Sequence, residues 1–277
     1  MGTLYVVATP IGNLADITDR AREVLRTVAT VVAEDTRRSR KLLAVLGSNA
    51  RIESFHAHSP PGKLSQVIAL LDRGDVAYVT DAGTPGVSDP GAKLVAAARR
   101  EGHTVSPVPG PSALTAALSI SGVETGGVVF LGFLPGRRQR RQQALESASR
   151  TDLPAVVFCS ARTVIRTLVE CLPYFGEGAP LVVCRELTKL HEEIVESTLS
   201  AAPALDVVSK QRGEYVLVIG RRQLSPDEVD DDRLAAEMEL EQASGASTRE
   251  ASDNVASKLG VSRRRAYKAG LTAPAEN

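Results

Sequence analysis

Three loops rich in glycine and proline carry the side chains of this sequence that are best suited to hold a small ligand. They comprise residues 8–13 (ATPIGN), 81–91 (DAGTPGVSDPG) and 109–113 (PGPSA). Glycine allows a ligand to approach the backbone closely, and proline fixes the shape of a loop. The loops also supply small hydroxyls and carboxylates, at Thr84, Ser88, Ser112, Asp81 and Asp89.

The composition of these loops also indicates which ligands to exclude. None contains the GxGxxG pattern of dinucleotide sites or the GxxxxGK[ST] pattern of phosphate-binding loops, and positive charges are few. A polyphosphate ligand is therefore disfavoured. Backbone groups, hydroxyls and carboxylates together suit an adenosyl sulfonium compound.

Each loop follows an apolar run that predicts a β-strand. Helical patterns separate the predicted strands of the first 120 residues, which lie at 4–8, 30–33, 51–56, 76–80 and 104–108. Several of these strands are continuous apolar runs, which is typical of strands covered on both faces. Strands that alternate with helices predict a parallel α/β sheet, whose ligands bind beyond the carboxyl ends of the strands. All three loops fall at that edge.

A second set of strands follows a linker at residues 120–127 (ISGVETGG). Its strands are predicted at 127–134, 155–160, 181–185 and 215–219, with helices near 139–149 and 163–172. The predicted fold class is therefore α/β with two domains, followed by a small helical module that resembles a helix-turn-helix. The expected boundaries are 1–120, 121–222 and 223–277.

The last segment begins with an acidic stretch, residues 227–241, which is expected to be an exposed linker or a solvated helix. Beyond it, Ser247 can cap a helix that ends near Leu259, Gly260 can make the turn, and Ser262 can cap a second helix. This basic module is predicted to contact nucleic acid. The alternative is a small helical cap or dimerisation piece with solvated arginines.

Composition and charge limit the class of protein. The chain has 277 residues with 33 Lys+Arg and 33 Asp+Glu, so a formal net charge of +0 excludes a uniformly basic nucleic-acid coat but permits local patches. No apolar run approaches the roughly 20 residues that span a bilayer. The first residues show no signal peptide, and the cysteines are expected to be buried thiols: Cys159, Cys171 and Cys184. We therefore expect a cytoplasmic protein.

Six segments identify the sequence as similar to a known family. They are VATPIGNLADIT, AEDTR, TDAGTPGVSDPG, PVPGPSA, GFLP and RELTKLHE. The chain resembles the bacterial small-subunit rRNA (cytidine-2′-O)-methyltransferases of the tetrapyrrole methylase superfamily, which are class III S-adenosylmethionine-dependent methyltransferases. The resemblance implies two α/β domains with S-adenosylmethionine in the crevice between them, a homodimer, and 16S rRNA or the small ribosomal subunit as partner.

The resemblance also implies which residues contact the cofactor. The matching positions are Pro10, Ile11, Gly12, Asp81, Ala82, Gly83, Thr84, Val87, Ser112 and Ala113. Two positions depart from the family pattern. Cys159 stands where relatives commonly have Glu, and Gly136 with following arginines stands where they often have Lys.

Methylation of a ribose hydroxyl requires a group that accepts the hydroxyl proton. The candidates are Asp81, Glu34 and Glu186, with Asp35, Lys189 and His191 also weighed. For the segment 34–36 a helix N-cap is an equal alternative. His56 and His58 are expected on one strand face without a third ligand, so no metal site is predicted.

Basic residues are expected to hold RNA phosphates, although each run could also be a solvated helix face. These candidates are Arg37, Arg38, Arg137, Arg138, Arg140, Arg141, Arg185, Lys189, Arg263, Arg264, Arg265 and Lys268. Two other functions remain open. One is methylation of a small tetrapyrrole, which the basic patches and the C-terminal module disfavour. The other is a non-enzymatic nucleic-acid-binding regulator, which would leave the three loops unexplained.

Overall fold

The structure, a computed structural model, describes residues 1–60, 62–87, 89–124, 126–151, 153–210, 212–221 and 229–272 of the 277-residue chain. It divides into two compact units, Met1–Arg221 and Arg222–Asn277. Both β-sheets belong to the first unit. The expected boundary at residue 120 separates the two sheets within that unit and stays a prediction as a domain boundary.

The first sheet is parallel, with the strand order β3-β2-β4-β1-β5. Its strands are β1 (Thr3–Val7), β2 (Thr30–Ala33), β3 (Arg51–Ser54), β4 (Val76–Val79) and β5 (Thr104–Val108). These match the apolar runs to within two residues. His56 and His58 follow the end of β3, so the expectation that they share a strand face was wrong.

Helices cover both faces of this sheet. They are α1 (Asp19–Thr27), α2 (Thr36–Leu46), α3 (Lys63–Leu71), α4 (Gly91–Arg100) and α5 (Ala113–Ile120). Leu25 and Leu43 pack against one face, and Leu71 and Leu94 against the other. Every residue of β4 is buried, as a continuous apolar strand between two helical layers requires.

The second sheet has the order β6-β7-β10-β8-β9 and is parallel only between β6 and β7. Its elements are β6 (Val129–Phe133), α6 (Arg138–Ser149), β7 (Ala155–Ser160), α7 (Val164–Phe175), β8 (Pro180–Arg185), β9 (Glu193–Thr198), α8 (Asp206–Ser209) and β10 (Glu214–Ile219). One face packs against Leu145 and Leu168 of α6 and α7, and the other against Ala117 of α5. All three cysteines are buried and free.

The basic run at the start of α6 divides into exposed and buried members. Arg137, Arg138 and Arg140 are exposed, but Arg141 is buried. Its guanidinium donates to both carboxylate oxygens of Glu170, at 2.6 and 2.8 Å, and to the carbonyls of residues 135 and 136 at 3.0 and 2.9 Å. The expectation that Arg141 contacts RNA is therefore corrected, because its donors are already used inside the fold.

We expect Arg141→Ala to lower the free energy of unfolding by about 2 kcal/mol, because the Glu170 carboxylate and two backbone carbonyls lose their hydrogen-bond donor. Arg140→Ala, one residue away on the exposed face, is the matched control and should change stability by less than about 0.5 kcal/mol. Urea unfolding of both variants measures the difference. Equal stabilities would contradict the structural role of Arg141.

The second unit consists of three helices, α9 (Asp231–Ala243), α10 (Thr248–Leu259) and α11 (Arg263–Thr272). Ser247 and Glu250 form a capping box at the start of α10, and Gly260 ends that helix in the left-handed conformation with φ 66°. Both predicted helices are therefore present. Leu234 and Met238 of α9 are fully buried in the core of this unit.

The burial of these two residues corrects the expectation of a linker or a solvated helix for the acidic stretch; residues 227 and 228 lie outside the described residues. Basic residues of α11 are partly paired within the unit. Arg263 lies 2.8 Å from Asp253, and Arg265 donates to Asp231 and to the carbonyl of Val229. The RNA contact predicted for Arg265 is corrected because its guanidinium also donates to a backbone carbonyl and the residue is half-buried, whereas Arg263 and Arg264 are exposed.

Across the described part of the chain, no helix is both long enough and apolar enough to cross a membrane.

Candidate active site

The three glycine- and proline-rich loops meet at one edge of the first sheet. Thr9 and Gly83 exchange two backbone hydrogen bonds, each 3.0 Å long. The hydroxyl of Thr84 donates to the carbonyl of Pro111 at 3.1 Å, which ties the second loop to the third. Gly83 has a φ of 81°, a backbone conformation that favours glycine. The sequence placed these loops correctly because the carboxyl ends of parallel strands share an edge.

The long loop is shaped by the carboxylate of Asp89. It accepts hydrogen bonds from the backbone nitrogens of Gly86 at 2.6 Å, Val87 at 3.1 Å and Gly91 at 2.7 Å, and from the Tyr78 hydroxyl at 3.1 Å. The sequence suggested Asp89 as a ligand group, but its oxygens hold the loop instead. Ser88 lies outside the described residues.

A cavity of about 360 Å³ lies between these loops and the second sheet. Its lining comprises Ile11, Glu34, Arg38, Thr80, Asp81, Ala82, Val87, Asp89, Ala113, Phe133, Phe158, Cys159, Leu187, Lys189, Glu214, Tyr215 and Val216. The volume falls in the range of small-molecule sites, about 300–1,000 Å³. Apolar side chains form much of the wall; Glu34, Asp81 and Asp89 lie on the side of the first sheet, and Glu214 lies on the side of the second.

The carboxylates of this cavity influence one another. Partial burial, followed by the negative charges of Asp81 and Asp89, raises the pKa of Glu34 above its ordinary value of 4.5. Asp81 accepts a hydrogen bond from the backbone nitrogen of Asp35 at 3.0 Å, and its other oxygen lies 3.8 Å from the Arg38 guanidinium. The cavity therefore attracts a cation more strongly than an anion.

The helix-cap alternative for segment 34–36 applies to Asp35. Its carboxylate accepts from the backbone nitrogen of Arg37 at 2.8 Å and from the guanidinium of the same residue at 2.9 Å. These hydrogen bonds lower the pKa of Asp35 to about 2. Glu34 takes no part in this cap interaction and remains available at the cavity wall.

A turn after β8 brings a second ion-pair network to the cavity. Lys189 Nζ lies 2.8 Å from Glu186 Oε1 and 2.7 Å from Glu214 Oε2. Partial burial raises the pKa of Glu186, but the hydrogen bonds from Lys189 and from the Glu214 backbone lower it more, so that the pKa lies below its ordinary value of 4.5. A carboxylate held in this way is a weak proton acceptor, so the structure disfavours Glu186 as the base.

Arg185, at the end of β8, is buried and does not face solvent. Its guanidinium lies 2.6 Å from Glu193 and also donates to the carbonyls of Arg212 at 3.1 Å and His191 at 3.4 Å. The predicted RNA contact of Arg185 is therefore corrected. The side chain instead ties β8 to β9 and to the segment before β10.

The structure brings most of the predicted cofactor residues to this edge. Those that line the cavity are Ile11, Asp81, Ala82, Val87 and Ala113, and Pro10 lines an adjoining cavity of about 200 Å³. Gly12 packs against the turn after β8, where a Cβ atom would lie 2.8 Å from the Leu187 carbonyl. Ser112 is the N-cap residue of α5.

Sequence reasoning missed the wall that the second sheet supplies. Phe133, Tyr215 and Val216 lie in strands that were predicted, but nothing in their spacing indicated that they face a cavity. Phe158 had not been assigned a role, and Cys159 had been noted only as a departure from the family pattern. Burial raises the pKa of Cys159 to about 12, so the thiol is protonated and cannot replace a Glu as a base.

The fold and the cavity define a methylase of the tetrapyrrole type. The family model for Tetrapyrrole (Corrin/Porphyrin) Methylases matches residues 3–203. Among solved structures, a cobalt precorrin-4 methyltransferase superimposes with a TM-score of 0.59 at 20% identity, covering 79% of this chain and 94% of that one. At this identity the likeness shows the fold alone.

Similarity along the sequence identifies the family more narrowly. A protein of Synechocystis sp. is 38% identical over 278 residues, covering 100% of both chains. A protein of Mesorhizobium japonicum is 41% identical over 247 residues, covering 87% of this chain and 84% of its own. Both are named ribosomal RNA small subunit methyltransferase I, and the present chain belongs to that family within the tetrapyrrole methylases.

Proposed function

We propose that this protein transfers a methyl group from S-adenosylmethionine to the 2′-hydroxyl of a cytidine in 16S rRNA, as free RNA or within the small ribosomal subunit. The observation that carries the proposal is the cavity at the strand ends, where carboxylates face an apolar wall. Relatives named for small-subunit rRNA methylation support the choice of substrate. A cytoplasmic homodimer, implied by the resemblance, is part of the same proposal.

The residues of the cavity fit S-adenosylmethionine. When bound, this cofactor supplies an electrophilic methyl group on a positively charged sulfur. The carboxylates of Glu34 and Asp81 suit that charge, and Ile11, Val87 and Ala113 offer apolar contacts. Because Gly83 has no side chain, its loop packs closely against the third loop, where a Cβ atom would lie 3.6 Å from the Pro111 carbonyl.

Glu34 is the best proton acceptor in the cavity. Its raised pKa brings its basicity closer to that needed near neutral pH. Asp81 remains a second candidate, but its oxygens already face the backbone nitrogen of Asp35 and the guanidinium of Arg38. Catalysis otherwise depends on alignment of the hydroxyl with the methyl group, which the rigid loops favour.

Exposed cations of the first unit are the proposed contacts for RNA phosphates, and Arg38 among them lines the cavity. They are Arg37 and Arg38 on α2, and Arg137, Arg138 and Arg140 at the start of α6. Lys189 lines the cavity within its ion-pair network, so we propose that it positions Glu186 and Glu214 more than it contacts phosphate. In the second unit, the proposed phosphate contacts are Arg263, Arg264 and Lys268.

The test of this function is transfer of radiolabelled methyl groups from S-adenosylmethionine. We expect incorporation into small ribosomal subunits or 16S rRNA that lack the modification, with none in a tetrapyrrole substrate. Alkaline hydrolysis then identifies the position, because a 2′-O-methyl group removes the hydroxyl that attacks the phosphodiester. An alkali-resistant dinucleotide that begins with cytidine supports the proposal, and an alkali-sensitive label contradicts it.

Glu34→Gln should reduce methyl transfer and remove the acidic limb of the pH profile. In the native enzyme that limb should lie above pH 4.5, because the folded-state pKa of Glu34 is raised and activity needs its ionised form. Methyl transfer measured against pH for both proteins checks this. Asp35→Asn is the control: Asp35 caps α2 and its pKa is low, so this variant should keep the acidic limb.

The stability of the same variant provides a second readout. A raised pKa means that folding favours the protonated form of Glu34. The contribution of Glu34 to the free energy of unfolding is therefore greatest below pH 4.5 and is lost as the pH rises through its folded-state pKa. Glu34→Gln should therefore be more stable than the native protein at neutral pH and equal to it at low pH. A stability loss at neutral pH would contradict this account.

A further inference from the structure

A β-bulge in β6 changes the direction of one phenylalanine. In the pairing with β7, Phe130 lies opposite Val156 and Phe133 lies opposite Phe158, with a register shift between Phe130 and Gly132. Residues three apart on a regular strand point to opposite faces of the sheet. The bulge takes up the extra residue, and Gly132 has the positive φ of 56°. Phe130 and Phe133 therefore lie on the same face.

The redirected ring is held in a fixed orientation. Its centroid lies 5.7 Å from that of Phe158 with an interplanar angle of 71°, and Phe130 approaches Phe158 from 5.0 Å at 70°. Both are edge-to-face arrangements, which aromatic pairs favour. Three of the five phenylalanines of the chain are used in this cluster, and the chain has no tryptophan.

Phe133 remains open to solvent despite this support. It is 61% exposed, and it lines the same cavity as Glu34 and Asp81. The packed neighbours hold this exposed apolar ring in a fixed position at the cavity. The bulge is a feature of the kind that re-aims side chains next to active sites.

Positive charge follows this ring directly along the chain. Arg137, Arg138 and Arg140 are exposed at the start of α6, and the first turn of that helix contains no acidic residue. The helix N-terminus adds its own partial positive charge. An exposed aromatic ring followed closely in sequence by exposed cations fits the way proteins hold unpaired nucleotides, through stacking on the base and attraction of the phosphates.

We propose that Phe133 is the stacking platform for the base of the target nucleotide, which leaves its own stack so that its ribose can enter the cavity. This inference rests on the proposed rRNA substrate. It assigns the base to the exposed ring and leaves the side of the cavity that contains Glu34 and Asp81 for the cationic methyl donor. The competing occupant is the adenine of the donor itself, and the test below separates the two.

The test compares Phe133→Leu, which keeps an apolar side chain but no aromatic face, with Phe133→Tyr, which restores the ring. We expect kcat/KM for small-subunit rRNA to fall about tenfold in the Leu variant and to return to within about twofold of the native value in the Tyr variant. Calorimetry should give an unchanged affinity for S-adenosylmethionine in both. Ile165→Ala removes exposed apolar surface on α7 and should leave both kcat/KM and the cofactor affinity unchanged.

Three outcomes would overturn the inference. The first is a Leu variant that methylates rRNA as well as the native protein. The second is a parallel loss of cofactor affinity and activity, which would assign the ring to the adenine. The third is a Tyr variant as impaired as the Leu variant. Failure of the proposed function appears separately, as a native protein that incorporates no methyl groups into rRNA while still binding the cofactor.

Discussion

Gly83→Val is expected to weaken the binding of S-adenosylmethionine about 100-fold, or about 3 kcal/mol. A Cβ atom at this position would lie 3.2 Å from Ile11 Cγ2 and 3.6 Å from the Pro111 carbonyl, so a branched side chain would separate the loops that form the cavity wall. The φ of 81° adds backbone strain to any β-branched residue. Isothermal titration calorimetry with the folded variant measures the effect.

Gly47→Val is the matched control for this substitution. Gly47 also has a positive φ, 68°, but a Cβ there meets nothing within 4 Å. Both variants should therefore lose a similar stability, about 1–2 kcal/mol, from the left-handed backbone. Only Gly83→Val should lose cofactor affinity. Equal affinities in the two variants would show that the cofactor binds elsewhere.

A variant that ends at Arg221 should bind 16S rRNA on the order of 100-fold more weakly at low salt while keeping its cofactor affinity. The whole cavity belongs to the first unit, and the removed unit contains Arg263, Arg264 and Lys268. Loss of about three phosphate contacts should flatten the salt dependence by about 2 in the slope of log K against log salt. Filter binding across a salt series measures both quantities.

The position of the truncation follows from the structure of the second unit. Removal from Ser247 onward, which the sequence alone suggests, would leave α9 with Leu234 and Met238 uncovered. A full-length protein with Arg263→Ala and Arg264→Ala is the control, since it removes charge and keeps the helices. Unchanged rRNA affinity and salt slope in both proteins would mean that the unit serves only as a structural cap.

The first sheet could be predicted from sequence because its strands are buried on both faces. Val76–Val79 is a continuous apolar run, and the loops after such strands necessarily meet at one edge. The edge strand β9 (Glu193–Thr198) was missed for the opposite reason. Its sequence EIVEST contains two glutamates and an exposed Ile194, so half-buried and exposed positions alternate in the structure but apolar and polar residues do not alternate in the sequence.

The limits of the site prediction have a similar origin. The sequence prediction treated Arg140 and Arg141 alike, as members of one basic run. Arg141 lies on the buried face of α6, where it pairs with Glu170, and Arg140 lies on the exposed face. Phe133 could not be assigned to the cavity because regular alternation places it on the opposite face from Phe130, and a bulge leaves little trace in composition. Local sequence patterns predicted the helices and strands. Contacts between residues distant in sequence determine which side chains face the cavity or solvent.

The contact at Gly12 limits how the protein can change shape. Gly12, in the loop after β1, packs against the turn at residues 187–189, and a Cβ atom there would lie 2.8 Å from both the Leu187 carbonyl and the Thr188 hydroxyl oxygen. The two sheets are therefore joined at this point as well as through the chain itself. A wide hinge opening between the two sheets would have to break that contact. The crevice is therefore expected to be preformed and not to close around its substrates. The adjustment needed to bring the two reactants together then falls on the RNA, whose nucleotide must turn outward to reach a site that is already formed.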